Sequence, residues 1–180
     1  QTLIDILDTM SIPPVAELQR MNDLDERQEA LLRNFNQRSP FELWRDWEAL
    51  ERYFEEFPQA LTPPRQRLQR LLYQAIRRRE QQNLRQYVTN LRTAQRKLAL
   101  QLDEATDLAV LETLQEELEV LWQQQQRQAD ELIGVARDAR SKEDYERFRR
   151  NVDRAFTNLQ NRRIRKSNTL PEERQEAIEE

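Results

Sequence analysis

The sequence predicts an all-α fold: an antiparallel bundle of long, coiled-coil-like helices behind a shorter N-terminal helical segment. Three observations carry this reading. The chain has one glycine in 180 residues, so the φ > 0 positions that tight hairpins and Gly-rich loops require are almost absent, and its Glu, Gln, Arg, Leu and Ala content favours helix. Charge alternates in blocks the length of one helix. Residues 64–102 hold ten basic residues and one acid (net +9), 103–139 ten acids and two arginines (net −8), and 140–167 ten basic residues and four acids (net +6). Helices folding back on one another would then bring opposite charges to each shared seam. Finally, apolar residues in these blocks recur at 3-4 spacing, the period of a helix seam.

Taken in order, residues 2–10 place Leu3, Ile6 and Leu7 on one face of a short helix, ended by Pro13-Pro14. A second helical stretch runs over about 15–36, with Asp23 and Glu26 as a capping box inside it and a kink expected there. Ser39-Pro40-Phe41-Glu42 is a helix start: a cap, a proline at the first helical position, and an acid three residues after the cap. That helix ends at Pro58. Its Trp44, Trp47, Leu50, Phe54 and Phe57 share an arc of ~140°, a buried face, while Phe41 and Tyr53 lie outside it. Thr62-Pro63 opens the next helix. Beyond a polar gap over 77–83, Leu84, Tyr87, Leu91, Ala94 and Leu98 follow strict 3-4-3-4 spacing.

The stretch 64–139 reads either as one helix, ~114 Å long at 1.5 Å per residue, or as a hairpin turning near 105. The turn would set Arg92 level with Glu117 and Glu119, Arg96 and Lys97 near Glu112, and Arg77, Arg78 and Arg79 near Asp130 and Glu131. Leu111, Leu114, Leu118 and Leu121 resume the seam, followed by Leu132, Ala136 and Ala139, with Gly134 as an interior helix glycine that marks a hinge or, more commonly, permits close packing. Ser141 opens the last long helix, whose Tyr145, Phe148, Val152, Ala155 and Leu159 again space 3-4-3-4. The expected long helices are therefore 63–103, 107–139 and 142–166. The expected organisation is a helical arm at 1–38, a bundle at 39–167, and an acidic helical tail or linker at 168–180. The opening on Gln1 reads as an excised or processed piece.

Residue inventory narrows the chemistry. No cysteine and no histidine are present, which removes disulfides, thiolate chemistry, the commonest transition-metal ligand and the commonest general base. No apolar run approaches the ~18–20 residues that span a membrane. The expectation is a non-enzymatic structural or interaction module (adaptor, scaffold or self-assembly domain) with no cofactor and no metal. Its partner would be a protein or a second copy, a dimer first, in a cytoplasmic setting, with export or a peripheral membrane location left open. The candidate partner-binding residues are Phe41, Trp44, Trp47, Tyr53, Leu3, Ile6 and Leu7, since aromatics dominate interface hot spots. For the aromatics, a place in the local core is the competing reading. Arginine outnumbers lysine 26 to 3. Arg67, Arg70, Arg77, Arg78, Arg85, Arg92 and Arg96 fall in a ~100° sector spanning about 44 Å. They form a candidate anion- or nucleic-acid-binding stripe, or else a solvated face pairing with the acidic helix beside it. The same arginines would serve attachment to an anionic membrane.

Overall fold

The computed structural model describes residues 14–170, so the expected helix bearing Leu3, Ile6 and Leu7 and the acidic tail from Pro171 lie outside the described residues. About 85 % of the described residues are helical, and the described residues contain no strand. Six α-helices follow one another: α1 (Val15–Gln19), α2 (Glu26–Leu32), α3 (Pro40–Glu56), α4 (Pro63–Glu104), α5 (Leu108–Gly134) and α6 (Ala139–Asn168), with single 3-10 turns at Phe35–Gln37 and Pro58–Ala60. Contacts group the chain into two compact units that meet within α4, one ending at Leu84 and one beginning at Arg85.

In the first unit, α1, α2, α3 and the first turns of α4 share one apolar core. Leu18, Leu31, Phe35, Leu43, Leu72 and Ile76 are nearly or wholly removed from solvent there, together with both tryptophans of α3. The helical stretch expected over 15–36 is interrupted. The chain leaves the helix after Gln19, and Asp23 takes a left-handed conformation (φ 64°). The cap is Asp25, not Asp23. The Asp25 carboxylate accepts from the Arg27 amide at 2.8 Å, while Gln28 Oε1 accepts from the Asp25 amide at 3.1 Å. Two overlapping acid-to-acid or acid-to-glutamine spacings exist in this segment, and the one that turns Gln28, Leu31 and Leu32 inward is used. Ser39 caps α3 as expected, its hydroxyl accepting from the Glu42 amide at 3.2 Å. Phe57, expected on the buried arc, is 46 % exposed. The helix ends at Glu56, and Phe57 already has non-helical dihedrals, which take it off the arc.

The second unit contains the remainder of α4 with α5 and α6. The turn expected near 105 is present: α4 ends at Glu104, and Asp107 caps α5 by accepting from the Val110 amide at 2.8 Å. The stretch 64–139 is thus a hairpin, not one helix. Tyr145, Phe148, Val152, Ala155 and Leu159 are all buried, as are Leu91, Leu98, Leu111, Leu114 and Leu118. Two expectations fail at the second turn. Helix α5 stops at Gly134, five residues early, and α6 begins at Ala139, because Asp138 accepts from the Ser141 amide at 2.9 Å and takes the cap position three residues ahead of Ser141. Ser141 is itself buried. A Cβ built on Gly134, the last residue of α5, would meet nothing within 4 Å, so that glycine does not permit a close approach.

Cross-contacts set the directions. Trp122 stacks on Phe156 (4.7 Å between centroids) and Asp130 pairs with Arg149 at 2.9 Å, so α5 and α6 are antiparallel. Tyr87 meets Phe148 (6.1 Å) and Asp103 pairs with Arg162 at 3.3 Å, so α4 and α6 run parallel. The unit is an up-down-up three-helix bundle.

Candidate functional site

The sequence singled out an aromatic helix and an arginine stripe, and the first unit joins the two at one point. Trp44 and Trp47 are 5 % and 8 % exposed and lie edge-on to each other, and both pack against Tyr73 of α4 at 5.3–5.4 Å. Arg77, one turn beyond Tyr73, lies 5.2 Å from the centre of the Trp44 ring. Its guanidinium donates to Glu80 at 2.9 Å and to the Tyr73 hydroxyl at 3.3 Å. Glu80 is the one acid of the basic block and is buried. Its second oxygen accepts from Trp44 Nε1 at 3.2 Å. Burial of the guanidinium works against its charge, but the Tyr73 hydrogen bond and the neighbouring Glu80 carboxylate outweigh it and hold Arg77 above the ordinary arginine value. The cluster fastens α3 to α4. Chemically it is a closed set, with the carboxylate engaged from two sides.

The other aromatic candidates differ. Tyr53 is half-buried, with the Arg27 guanidinium 3.7 Å from its ring centre, and Phe41 is 49 % exposed. Residues that sequence reasoning passed over prove structural. Gln28, fully buried, donates to the Arg65 carbonyl and to Gln69 across to α4. Arg79 donates to the Asn36 and Arg38 carbonyls, and Arg65 to those of Asp23 and Ala60. The only signal of the Gln28 role in the sequence is its place three residues after a capping Asp.

The arginine stripe divides between the units. In the first, Arg67 and Arg70 are exposed, Arg78 is half-buried, and Arg77 belongs to the cluster above. In the second, Arg85, Arg92 and Arg96 are exposed. The ion pairs expected from the turn near 105 do not form. Among the described residues no carboxylate lies within 4 Å of Arg92, Arg96 or Lys97, nor any Lys or Arg within 4 Å of Glu112, Glu117 or Glu119. Arg77 turns to Glu80 and Asp130 to Arg149. The wheel explains this for Arg92 and Arg96. They share a side of α4 with Asp103, which faces basic α6, not acidic α5. From the basic run at 162–166, Lys166 donates to the Asp103 carbonyl at 2.8 Å, satisfying an end of α4.

The second unit has a half-open apolar cleft of about 10 Å³ lined by Leu91, Leu118, Trp122, Val152 and Phe156. It has room for one water molecule and none for a substrate. Among the described residues no three carboxylates are grouped to hold a metal ion, and no described helix is long and apolar enough to cross a membrane. No protein-family model, curated protein or solved structure matches the chain, so a functional reading has only these residues and their geometry to stand on.

Proposed function

We propose that this chain is a non-enzymatic helical interaction module, an adaptor, scaffold or self-assembly domain that works by presenting charged helix faces to a protein partner or to a second copy. The observation that supports this reading is the charge left over by the fold. Helices α4 and α5 bury their apolar seams against α6 and each other, yet Arg92 and Arg96 on one and Glu112 and Glu117 on the other are exposed and meet no opposite charge within 4 Å among the described residues. Long exposed side chains of this kind contribute little to the stability of a monomer. They direct which surface meets which, and how fast. Light scattering coupled to size exclusion tests it: the full chain should run as a species heavier than 21.9 kDa, shifting toward that mass as salt rises. A lone 21.9 kDa species at low salt over a wide concentration range contradicts self-assembly.

The exposure of Arg67, Arg70, Arg85, Arg92 and Arg96 also favours a second reading, phosphate tracking along a nucleic acid. Binding of that kind weakens steeply with salt and is abolished when these residues become glutamate. Co-sedimentation with anionic vesicles separates a membrane surface from both.

A further inference from the structure

Within the second unit, helices α4 and α6 run side by side in the same direction, with contacting residues offset by about 60 positions in sequence: Tyr87 with Phe148, Asp103 with Arg162 and Lys166. The same offset sets Arg85 level with Arg147, and Arg92 level with Arg154. All four are exposed. Arg85, Arg92, Arg96 and Asp103 follow one another at seven, four and seven residues on one stripe of α4, so the α4 arginines share the side whose Asp103 meets α6. Arg147 and Arg154, one heptad apart, lie on the flank of α6 turned away from Arg149 and Asp153, which meet α5, and so on the flank nearer α4. The result is two rungs of like charge, one heptad or about 10.5 Å apart. Arg147 has Glu143 and Asp144 only at 3.7 Å, and Arg154 has no carboxylate within 4 Å among the described residues. Level like charges on neighbouring helices repel and do nothing for a monomer.

A complementary row stands on another face of the same unit. Glu112, Glu116 and Glu119 of α5 are exposed. They belong to the stripe that continues at 3-4 spacing to Gln126, which donates to Asp153, and to Asp130, which pairs with Arg149. That stripe therefore borders α6 from its other side, away from α4. Glu112 and Glu119 are one heptad apart, the repeat of the arginine rungs.

We propose, resting on the interaction-module reading, that this arginine ladder is one half of a self-association surface whose other half is the Glu112, Glu116 and Glu119 row of a second copy. The exposed acidic row of the same chain carries the opposite charge at the same heptad repeat, which makes a second copy the occupant. The two rows lie on different faces of one molecule, so the contact is head-to-tail, and each copy can give one row and receive the other.

The test uses the full chain with its charges exchanged. One variant carries Arg85→Glu, Arg92→Glu, Arg147→Glu and Arg154→Glu. The other carries Glu112→Arg, Glu116→Arg and Glu119→Arg. Sedimentation velocity at low salt should find the wild type associated, each variant at least tenfold weaker, and a mixture of the two restored. Circular dichroism should find all three equally helical, and the milder Arg92→Gln with Arg154→Gln gives a graded loss if either reversal disturbs the fold. Variants that associate as strongly as the wild type overturn the ladder but leave self-assembly standing. A wild type that stays monomeric removes both. Loss in both variants without restoration on mixing, or loss only in the arginine variant together with loss of binding to a DNA duplex, also overturns the proposal, the latter assigning the ladder to phosphate.

Discussion

The two units use α4 in opposite ways. Before Leu84 the helix is an anchor for irregular structure: its Tyr73, Arg77 and Glu80 hold the tryptophans of α3, and its backbone and glutamine receive Gln28 of α2. Polar groups enter that core, Gln28 and Glu80 among them with hydrogen-bond partners, and specify where short helices sit. From Arg85 on, the same helix is one strand of a repetitive seam of Leu, Ala, Tyr and Phe, with every charge kept outside. The difference teaches where information lies in a helical protein. A regular seam stabilises by burial alone and leaves its surface free to recognise something. An irregular core commits its charged residues inward, as Arg77 shows.

Mutations can break or sharpen this contrast. The largest effect is expected in the seam. Phe148, 1 % exposed, should cost about 4 kcal/mol when changed to alanine, since its cavity cannot collapse between three helices; chemical denaturation measures it. Next is Glu80→Ala in the irregular core, about 3 kcal/mol, because Arg77 and Trp44 Nε1 are left without the carboxylate between them. Adding Arg77→Ala should recover part of that loss in a double-mutant cycle, and strict additivity would mean the pair is not coupled. Removing the caps of the second unit, Asp107→Ala or Asp138→Ala, should cost about 1 kcal/mol each by thermal melting. The smallest effect is at the surface. Arg92→Ala or Arg96→Ala should change stability by less than about 0.5 kcal/mol, while weakening association.

What could be read in advance follows the same division. The seam residues of α6, the start of α3 and the turn after α4 were legible, because each rests on a period or a local cap that neighbours cannot easily override. A kink near Asp23 was legible too, but the choice of Asp25 as the cap, the burial of Gln28 and the Arg77–Glu80 pair were not. They are decided by which tertiary register buries the most surface, and the one local signal, the place of Gln28 three residues after Asp25, does not by itself choose that register. Helix ends near Gly134 were misplaced because two candidate caps, Asp138 and Ser141, stand three residues apart, and the frame of Leu132 and Ala136 continues across the true end. Among the candidate site residues, the sequence identified an arginine sector but not its direction. That direction depends on α6 lying parallel to α4, and it is why the acidic helix does not neutralise Arg92 and Arg96.

The central claim is that the exposed arginines of the second unit serve association and not the fold. Urea unfolding of the full chain with Arg85→Glu and Arg92→Glu, at low and high salt and at a protein concentration below that at which the wild type associates, tests it most directly. The new carboxylates would sit level with Arg147 and Arg154, so the account predicts stability equal to the wild type or slightly above it at low salt, with the gain fading as salt rises. A loss of about 1 kcal/mol or more at low salt, relieved by added salt, would mean that these arginines pair with acidic residues of their own chain, and would contradict the account.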